Sequence, residues 1–273
     1  MALPKYVILE KAVGQTPLAC AELWRADKPE LVGVPIAYAG RLDPMASGKL
    51  LILIGDECKV QEQYHNLDKQ YEFSILFGVS SDTADVLGRL QLADTVPNIT
   101  LSQLQKISHE LVGQVELPYP HFSSKTIQGK PLHVWTLEGR LNEITIPTKV
   151  STIFKLQPIK LETKTRAEIY NEVSDKIETI PQVTDESKAL GNDFRRIDVR
   201  ADWLKFVQTG TPTDPFTIAT FTCIASSGTY MRTLAEVIAK HHNTTALAYH
   251  IHRTHIGHYH RLPLGLGFWQ KRS

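Results

Sequence analysis

Apolar and polar positions along the chain predict a succession of strands and helices. Tyr6–Leu9 reads as a short strand, and Leu50–Ile54 is an unbroken apolar run of the length that suits a buried strand. Tyr71, Phe73, Ile75 and Phe77 alternate with Glu72, Ser74 and Leu76, predicting a half-buried strand that Tyr71 opens. Thr217–Ala225 alternates in the same way, and Lys149–Ile159 reads as a further strand. Helical signals fall between these. Thr16-Pro17 ahead of Leu18, Ala21 and Trp24 has the form of a capped start with proline in the first turn. Leu104, Ile107 and Leu111 share one face of Leu101–Val112, with Gly113 as a stop. Leu234, Val237 and Ile238 give an amphipathic helix after Ser226-Ser227-Gly228, with Arg232 in its first turn. Thr163–Val207 is polar, with a helix-like stretch at Ala167–Ile180, and is expected to be an insertion or peripheral helical element. No strand-helix-strand unit repeats, which favours a mixed α+β sheet over a doubly wound one.

Between Leu117 and Pro147 prolines, glycines and basic residues recur, with Lys125, Lys130, His133, Trp135 and Arg140 spread along the segment. This punctuation predicts a protruding loop or hairpin whose charges and aromatics face a partner. The 273 residues, 42% of them hydrophobic, suffice for a sizeable core. No apolar stretch reaches membrane-spanning length and no signal-peptide pattern opens the chain, so a cytoplasmic protein is expected. Cys20, Cys58 and Cys223 are odd in number and widely spaced, suggesting neither a disulfide framework nor a cysteine metal site.

The net charge of +1 is unevenly placed: six Lys or Arg against one acid follow from Gly228 onwards, and seven of the eleven histidines lie between His241 and His260. A local basic face of this kind suits a nucleic-acid partner and equally an ordinary solvated tail. His250, His252, His255, His258 and His260 have spacings that can gather imidazoles, but no cysteine or acid completes a metal set, so a polar or RNA-facing surface is the expectation.

One short stretch carries the candidate chemistry. In Gly40-Arg41-Leu42-Asp43-Pro44-Met45-Ala46-Ser47-Gly48 a carboxylate sits between two glycines just ahead of an apolar strand. Pro44 disfavours helical backbone at Asp43, and the glycines permit tight turning and close approach. The stretch can present a nucleophile, but on spacing alone an Asx-type turn before a strand is the favoured reading. A cation at position 232 is disfavoured by the helix dipole, which hints at a nearby anion, although on this feature alone a surface arginine is the favoured reading.

These residues, taken in order, resemble a known family. Gly40–Gly48 with Asp43, then Asp68-Lys69-Gln70-Tyr71-Glu72, then Ser81-Asp82-Thr83-Ala84-Asp85-Val86-Leu87-Gly88, then Ser227-Gly228-Thr229-Tyr230-Met231-Arg232-Thr233-Leu234 are similar to the motifs of the TruB family of tRNA pseudouridine synthases. The loop Ser123-Ser124-Lys125 through Gln128-Gly129-Lys130-Pro131-Leu132 resembles its RNA-gripping insertion, and Ile144–Pro147 the segment that closes it. The resemblance implies an α+β fold with a mixed, mainly antiparallel central sheet flanked by helices and loops. It implies isomerisation of a uridine in the T arm of tRNA, with no cofactor or metal.

By motif position, Asp43 resembles the catalytic aspartate, Tyr71 the tyrosine that packs on the target base, and Arg232 the arginine that pairs with the aspartate. Tyr38, Tyr230 and Ile251 resemble further residues lining the uridine pocket. Attack needs an ionised carboxylate, which an arginine favours, and a bidentate Arg232–Asp43 pair would fix its orientation. Three features depart from the usual pattern. Tyr38 stands where a histidine is common, Arg41 replaces a small polar residue and could meet a phosphate or Asp43, and Lys11–Thr16 lacks the proline after lysine. Lys125, Lys130 and Arg253 are expected to contact RNA.

The expected organisation is a catalytic domain over residues 1–262, with an RNA-binding insertion near 117–147 and a peripheral insertion near 163–207. A short tail over 263–273, with no C-terminal RNA-binding domain, is expected as well. The expected partner is tRNA, with no obligate protein partner and a monomeric state. Two alternatives stay open, a non-catalytic tRNA-binding or folding protein on the same scaffold and a synthase acting on another RNA.

Overall fold

The computed structural model describes residues 3–95, 97–181, 196–262 and 266–270. The elements run β1 (Tyr6–Lys11), α1 (Pro17–Arg25), β2 (Ile36–Ala39), β3 (Ala46–Ile54), β4 (Asp68–Phe77), β5 (Val79–Ser81), β6 (Leu90–Leu92), α2 (Leu101–Glu110) and β7 (Gly113–Pro118). They continue with β8 (Thr126–Ile127), β9 (Lys130–Pro131), α3 (Leu132–Leu137), β10 (Thr148–Thr165), α4 (Arg166–Glu178), α5 (Arg196–Gln208), β11 (Pro215–Ala225), α6 (Met231–Lys240), β12 (Ala246–Gly257), β13 (Tyr259–Arg261) and β14 (Gly267–Trp269).

Eight strands form one sheet in the order β1-β3-β12-β4-β11-β10-β7, with β2 also paired to β3. Every pairing is antiparallel except that of β12 with β3, so the sheet is mixed and mainly antiparallel, as expected. The apolar run Leu50–Ile54 is continuous because both faces of β3 are covered there. Leu50 and Ile52 pack with Cys20 and Ala21 of α1, while Leu51 and Leu53 pack with Ala39 and Leu67 on the other side. The main core lies against β4, β11 and β12, where Phe73, Ile75, Phe221 and Cys223 meet Leu234 and Ile238 of α6.

Several boundaries differ from the sequence expectation, each for a local reason. β3 begins at Ala46 rather than Leu50, because its small and polar start has no apolar signature. β4 begins at Asp68, so Tyr71 is its fourth residue and not its first. β10 runs to Thr165 along the edge of β11, and Pro158 is tolerated because β7 pairs only with Thr148–Ile153 and a register shift follows the proline. Within 117–147 the chain folds into the β8–β9 hairpin, turned at Gln128 (φ 49°) and Gly129 (φ 78°), and then into α3, which buries Leu132 and Trp135.

The expectation of a peripheral element at 163–207 is corrected. Helix α4, opened by a Thr165/Glu168 capping box, spans Arg166–Glu178 and not 167–180. Its Ile169, Val173 and Ile177 join Val199, Trp203 and Phe206 of α5 in the main core. Residues 182–195 of that segment, and 263–265 and 271–273 of the expected tail, lie outside the described residues.

Trp203 is fully buried and donates its indole N–H to the Val86 carbonyl at 2.9 Å. Trp203→Ala should therefore destabilise the fold by about 3–5 kcal/mol. Urea unfolding checks this, and a loss below about 1 kcal/mol would show that α5 is dispensable to the core.

Candidate active site

The loop bearing Asp43 exists because β3 changes neighbours along one edge. β2 pairs with Leu51–Ile54 of β3, whereas Ala46–Gly48 pair with Ile251–Arg253 of β12. With that edge taken by β12, residues 40–45 leave the sheet. The close strand approach demands glycine at 48, where φ is 105° and a Cβ would stand 2.3 Å from the Arg253 carbonyl oxygen. Asp43 then begins a turn, its carbonyl accepting the Ala46 N–H at 3.0 Å, and the Pro44 carbonyl accepts the Gly14 N–H at 2.9 Å.

Arg253, only 1% exposed, fastens this loop. Its guanidinium donates to the carbonyls of Lys49 (2.7 Å), Gly40 (3.1 Å) and Arg41 (3.3 Å). Buried Lys11 ties the adjoining 12–15 loop by donating to the Ala12 and Gln15 carbonyls, and burial lowers its pKa to about 8.

Arg232, the second residue of α6, approaches Asp43 from the other side. Its two terminal nitrogens donate to the carbonyls of Thr83 (2.7 Å) and Phe122 (3.2 Å), which leaves the Nε edge for carboxylates. Nε stands 2.9 Å from Asp43 Oδ2 and 3.8 Å from Asp85 Oδ2. The Nε–H is not aligned on an acceptor, so the contact with Asp43 is a charge pair rather than a directed hydrogen bond. The expected bidentate pair is thus corrected to a one-edge contact. Burial works against the arginine's charge, but Asp43 and Asp85 outweigh it and raise the pKa. Asp85 is buried, which raises its own pKa. Its Oδ1 accepts from Thr83 Oγ1 at 2.7 Å and from the Leu87 N–H at 2.9 Å.

Asp43 and Arg232 lie in a cleft of about 1000 Å³. Tyr38, Arg41, Tyr71, Tyr230, Ile251 and Arg253 line the same cleft, so eight of the ten residues singled out from sequence converge on it. Tyr71 is held on β4 opposite Cys223 and Arg253, and burial raises its hydroxyl pKa. Tyr230 packs edge-on to Tyr119 at 5.9 Å, and Lys125 lies over the Tyr119 ring at 5.3 Å.

Several residues are placed differently from expectation. Arg41 donates to Ser124 Oγ at 3.0 Å instead of pairing with Asp43. Lys130 pairs with Glu138 at 2.7 Å and sits over Trp135, and Arg140 pairs with Glu143, so the basic residues of the insertion are partly neutralised. Arg253 is a loop clamp rather than a surface phosphate contact. The histidines do not gather: a register shift after Arg253 splits them, with His250 stacked on His252 and His255 on Trp269. Among the described residues no group of three or more His, Cys, Asp or Glu is arranged to hold a metal. No helix among them is long and apolar enough to cross a membrane.

Two residues within the quoted motifs escaped singling out. Asp85 shares Arg232 with Asp43, and Lys69 lines the cleft at 5% exposure, donating to the Leu67 carbonyl at 2.5 Å and to Ser227 Oγ at 2.9 Å. Burial lowers the Lys69 pKa to about 7, with Arg253 acting in the same direction and Asp68 opposing. Their motif positions were the only signal, since burial of a charge is a tertiary fact.

Residues 32–178 match the family model described as TruB family pseudouridylate synthase (N terminal domain). The chain is 31% identical over 153 residues to a tRNA pseudouridine synthase B of Caldicellulosiruptor saccharolyticus, covering 56% of this chain and 51% of that protein. It is 34% identical over 125 residues to tRNA pseudouridine synthase 4 of Saccharomyces cerevisiae, covering 45% of this chain and 31% of that one. The chain thus spans about half or less of the length of these relatives. The fold matches a chain of a Cbf5-Nop10-Gar1 complex with a TM-score of 0.53 at 12% identity, covering 92% of this chain and 48% of that one.

Lys69 gives a pH signature. Its pKa is about 7 folded against 10.5 ordinarily, so between these values the unfolded chain binds more protons and stability rises with pH. Relative to Lys69→Met, the wild type should gain up to about 1.4 kcal/mol per pH unit across this window. Paired urea titrations at pH 7.5 and 9.5 test it; a pH-independent difference would mean the buried amine does not titrate there.

Proposed function

The chain belongs to the TruB family of pseudouridylate synthases, and from this premise we propose that it isomerises a uridine in the T loop of tRNA to pseudouridine. The observation that carries the proposal is the Asp43–Arg232 contact, 2.9 Å between charged atoms at the wall of an aromatic-lined cleft. Arg232 is 4% exposed on its side chain and Asp43 39%, so the cation is fixed and the carboxylate remains open to a substrate.

The chemistry follows from these positions. A uridine in a stacked loop must leave the stack, and Tyr71 with Tyr230 offers aromatic surface to receive the base. The Asp43 carboxylate either attacks C1′ or removes the C2′ proton, and the N1–C1′ bond breaks with its electron pair remaining on the base. The base turns, C5 joins C1′, the C5 proton is lost and N1 is protonated, so the net change is an isomerisation. Arg232 sets a positive charge against the Asp43 carboxylate and orients it, and Asp85 holds Arg232 from behind. No step draws on a cofactor or metal.

Arg41 and Tyr38 bear on the alternative of a non-catalytic RNA-binding protein, which would be favoured by a closed pocket. Both stand in the wall of an open cleft, Arg41 turned away to Ser124. The catalytic reading is therefore preferred, with tRNA as partner and phosphate contacts that make binding weaken steeply with salt.

Asp43→Asn should abolish pseudouridine formation while tRNA affinity stays within a few-fold. Incubation of both proteins with an unmodified tRNA transcript, followed by position-by-position mapping of pseudouridine, tests this. Product in the T loop with the wild type alone supports the proposal, and product elsewhere changes the substrate. Full activity in Asp43→Asn sinks the catalytic assignment, and binding without product favours the non-catalytic reading.

A further inference from the structure

Lys69 and Arg253 line the cleft, and Lys149 adjoins its Ser227 and Gly228; the chemistry above uses none of these cations. Lys69 on β4 and Lys149 on β10 both reach Ser227, the first donating to its hydroxyl at 2.9 Å and the second to its carbonyl at 2.7 Å. Ser227 Oγ in turn donates to the His65 carbonyl, which fixes the residue between strands. Arg253 stands beside Lys69. Lys69 Nζ and Arg253 Nη1 lie 3.9 and 3.6 Å from the point where a Cβ on Gly40 would be. Gly228 is exposed, with φ 77°, and a Cβ there would meet Lys149 Nζ at 2.1 Å, so the lysine head occupies the space a side chain would fill.

Among the described residues none of Lys69, Lys149 and Arg253 makes an ion pair with a carboxylate. Two lysines meeting on one serine with an arginine beside them and no paired carboxylate repel one another, and the repulsion is relieved when Lys69 gives up its proton or when an anion joins the cluster. We propose that Lys69 and Lys149, seated on Ser227–Gly228, form a subsite for an RNA backbone phosphate flanking the target uridine. Arg253 adds positive potential while its guanidinium stays on the loop carbonyls. The proposal rests on the RNA-modifying reading of the same cleft.

The subsite couples binding to protonation. Facing Lys69 are Arg253 from β12, Lys149 from β10, Asp68 and Tyr71 on its own strand, and His65 ahead of it. Of these only Asp68 supplies a nearby negative charge, and it is occupied by the Tyr259 N–H at 2.9 Å. Lys69 has a pKa of about 7 in the free protein because of burial, and burial also lowers that of Lys149. A phosphate favours the charged amines, so binding above about pH 7 takes up protons and affinity falls as pH rises.

The test measures binding of a T-arm stem-loop RNA by fluorescence anisotropy, which needs no turnover. Lys69→Met and Lys149→Met should each weaken binding about tenfold and lower the salt slope by about one. Lys69→Arg should restore the affinity and remove most of its fall between pH 7 and 9. In the RNA, a neutral methylphosphonate at one linkage beside the uridine should cost the wild type about tenfold and Lys69→Met nothing further. If Lys69→Met does not fold, the half-buried Lys149→Met is paired with the same RNAs in its place. Unchanged salt slopes, or equal methylphosphonate costs in wild type and variant, overturn the subsite while a wild-type chain that still binds and modifies RNA keeps the broader function. A wild-type chain that binds no stem-loop overturns both.

Discussion

The guanidinium of Arg232 is where separate parts of the chain are made to agree. It leaves the first turn of α6, is shut away from solvent, and is gripped by the carbonyls of Thr83 and Phe122. A cation near a helix N-terminus and inside a protein is doubly unfavourable, through the helix dipole and through desolvation. Two carboxylates on different loops, Asp43 and Asp85, offset that cost. The four segments that meet there are far apart in sequence, and the charge they share keeps them in register. Remove the arginine and two carbonyls, one buried acid and one cleft carboxylate lose a common partner.

A second layer holds the aspartate loop in place without touching the reacting side. Arg253 takes the loop's carbonyls from below, Gly14 takes that of Pro44, and Lys11 secures the segment that carries Gly14. A Cβ on Gly14 would stand 2.2 Å from the Thr179 carbonyl at the end of α4, so that helix abuts the same assembly. Buried cations bonded to backbone carbonyls thus recur throughout the site. They leave a positive field near the cleft that a polyanion is suited to meet.

The strands were readable where side chains alternate between core and partner helix, as in Phe73, Ile75 and Phe77. They were unreadable where pairing rests on small residues, as in Ala46-Ser47-Gly48. Helix α4 carries Ile169, Val173 and Ile177 at helical spacing, a buried face that the surrounding charges obscured. Asp43, Tyr71 and Arg232 were found through ordered motifs, not through local pattern, because each alone is an ordinary turn acid, strand aromatic or helix cation. The clamp made by Arg253 and the burial of Lys69 had no signal in local pattern, since the first depends on β12 meeting β3 and the second on β4 lying between β12 and β11. Lys130 and Arg140 were expected to face a partner, yet Glu138 and Glu143 close by in the same segment pair with them.

The exchange of neighbours along β3 has a consequence for how the site can come into being. The segment from 32 to 178 contains Asp43, Tyr71 and Asp85 but neither Arg232 nor Arg253. A growing chain therefore presents its carboxylates long before the strand that displaces loop 40–45 and the arginines that hold it exist. Contacts of this sequence separation form late and slowly. The setting of Asp43 is thus completed by the final strands of the sheet and by α6, and a chain folded only through α4 holds this acid without Arg232 beside it.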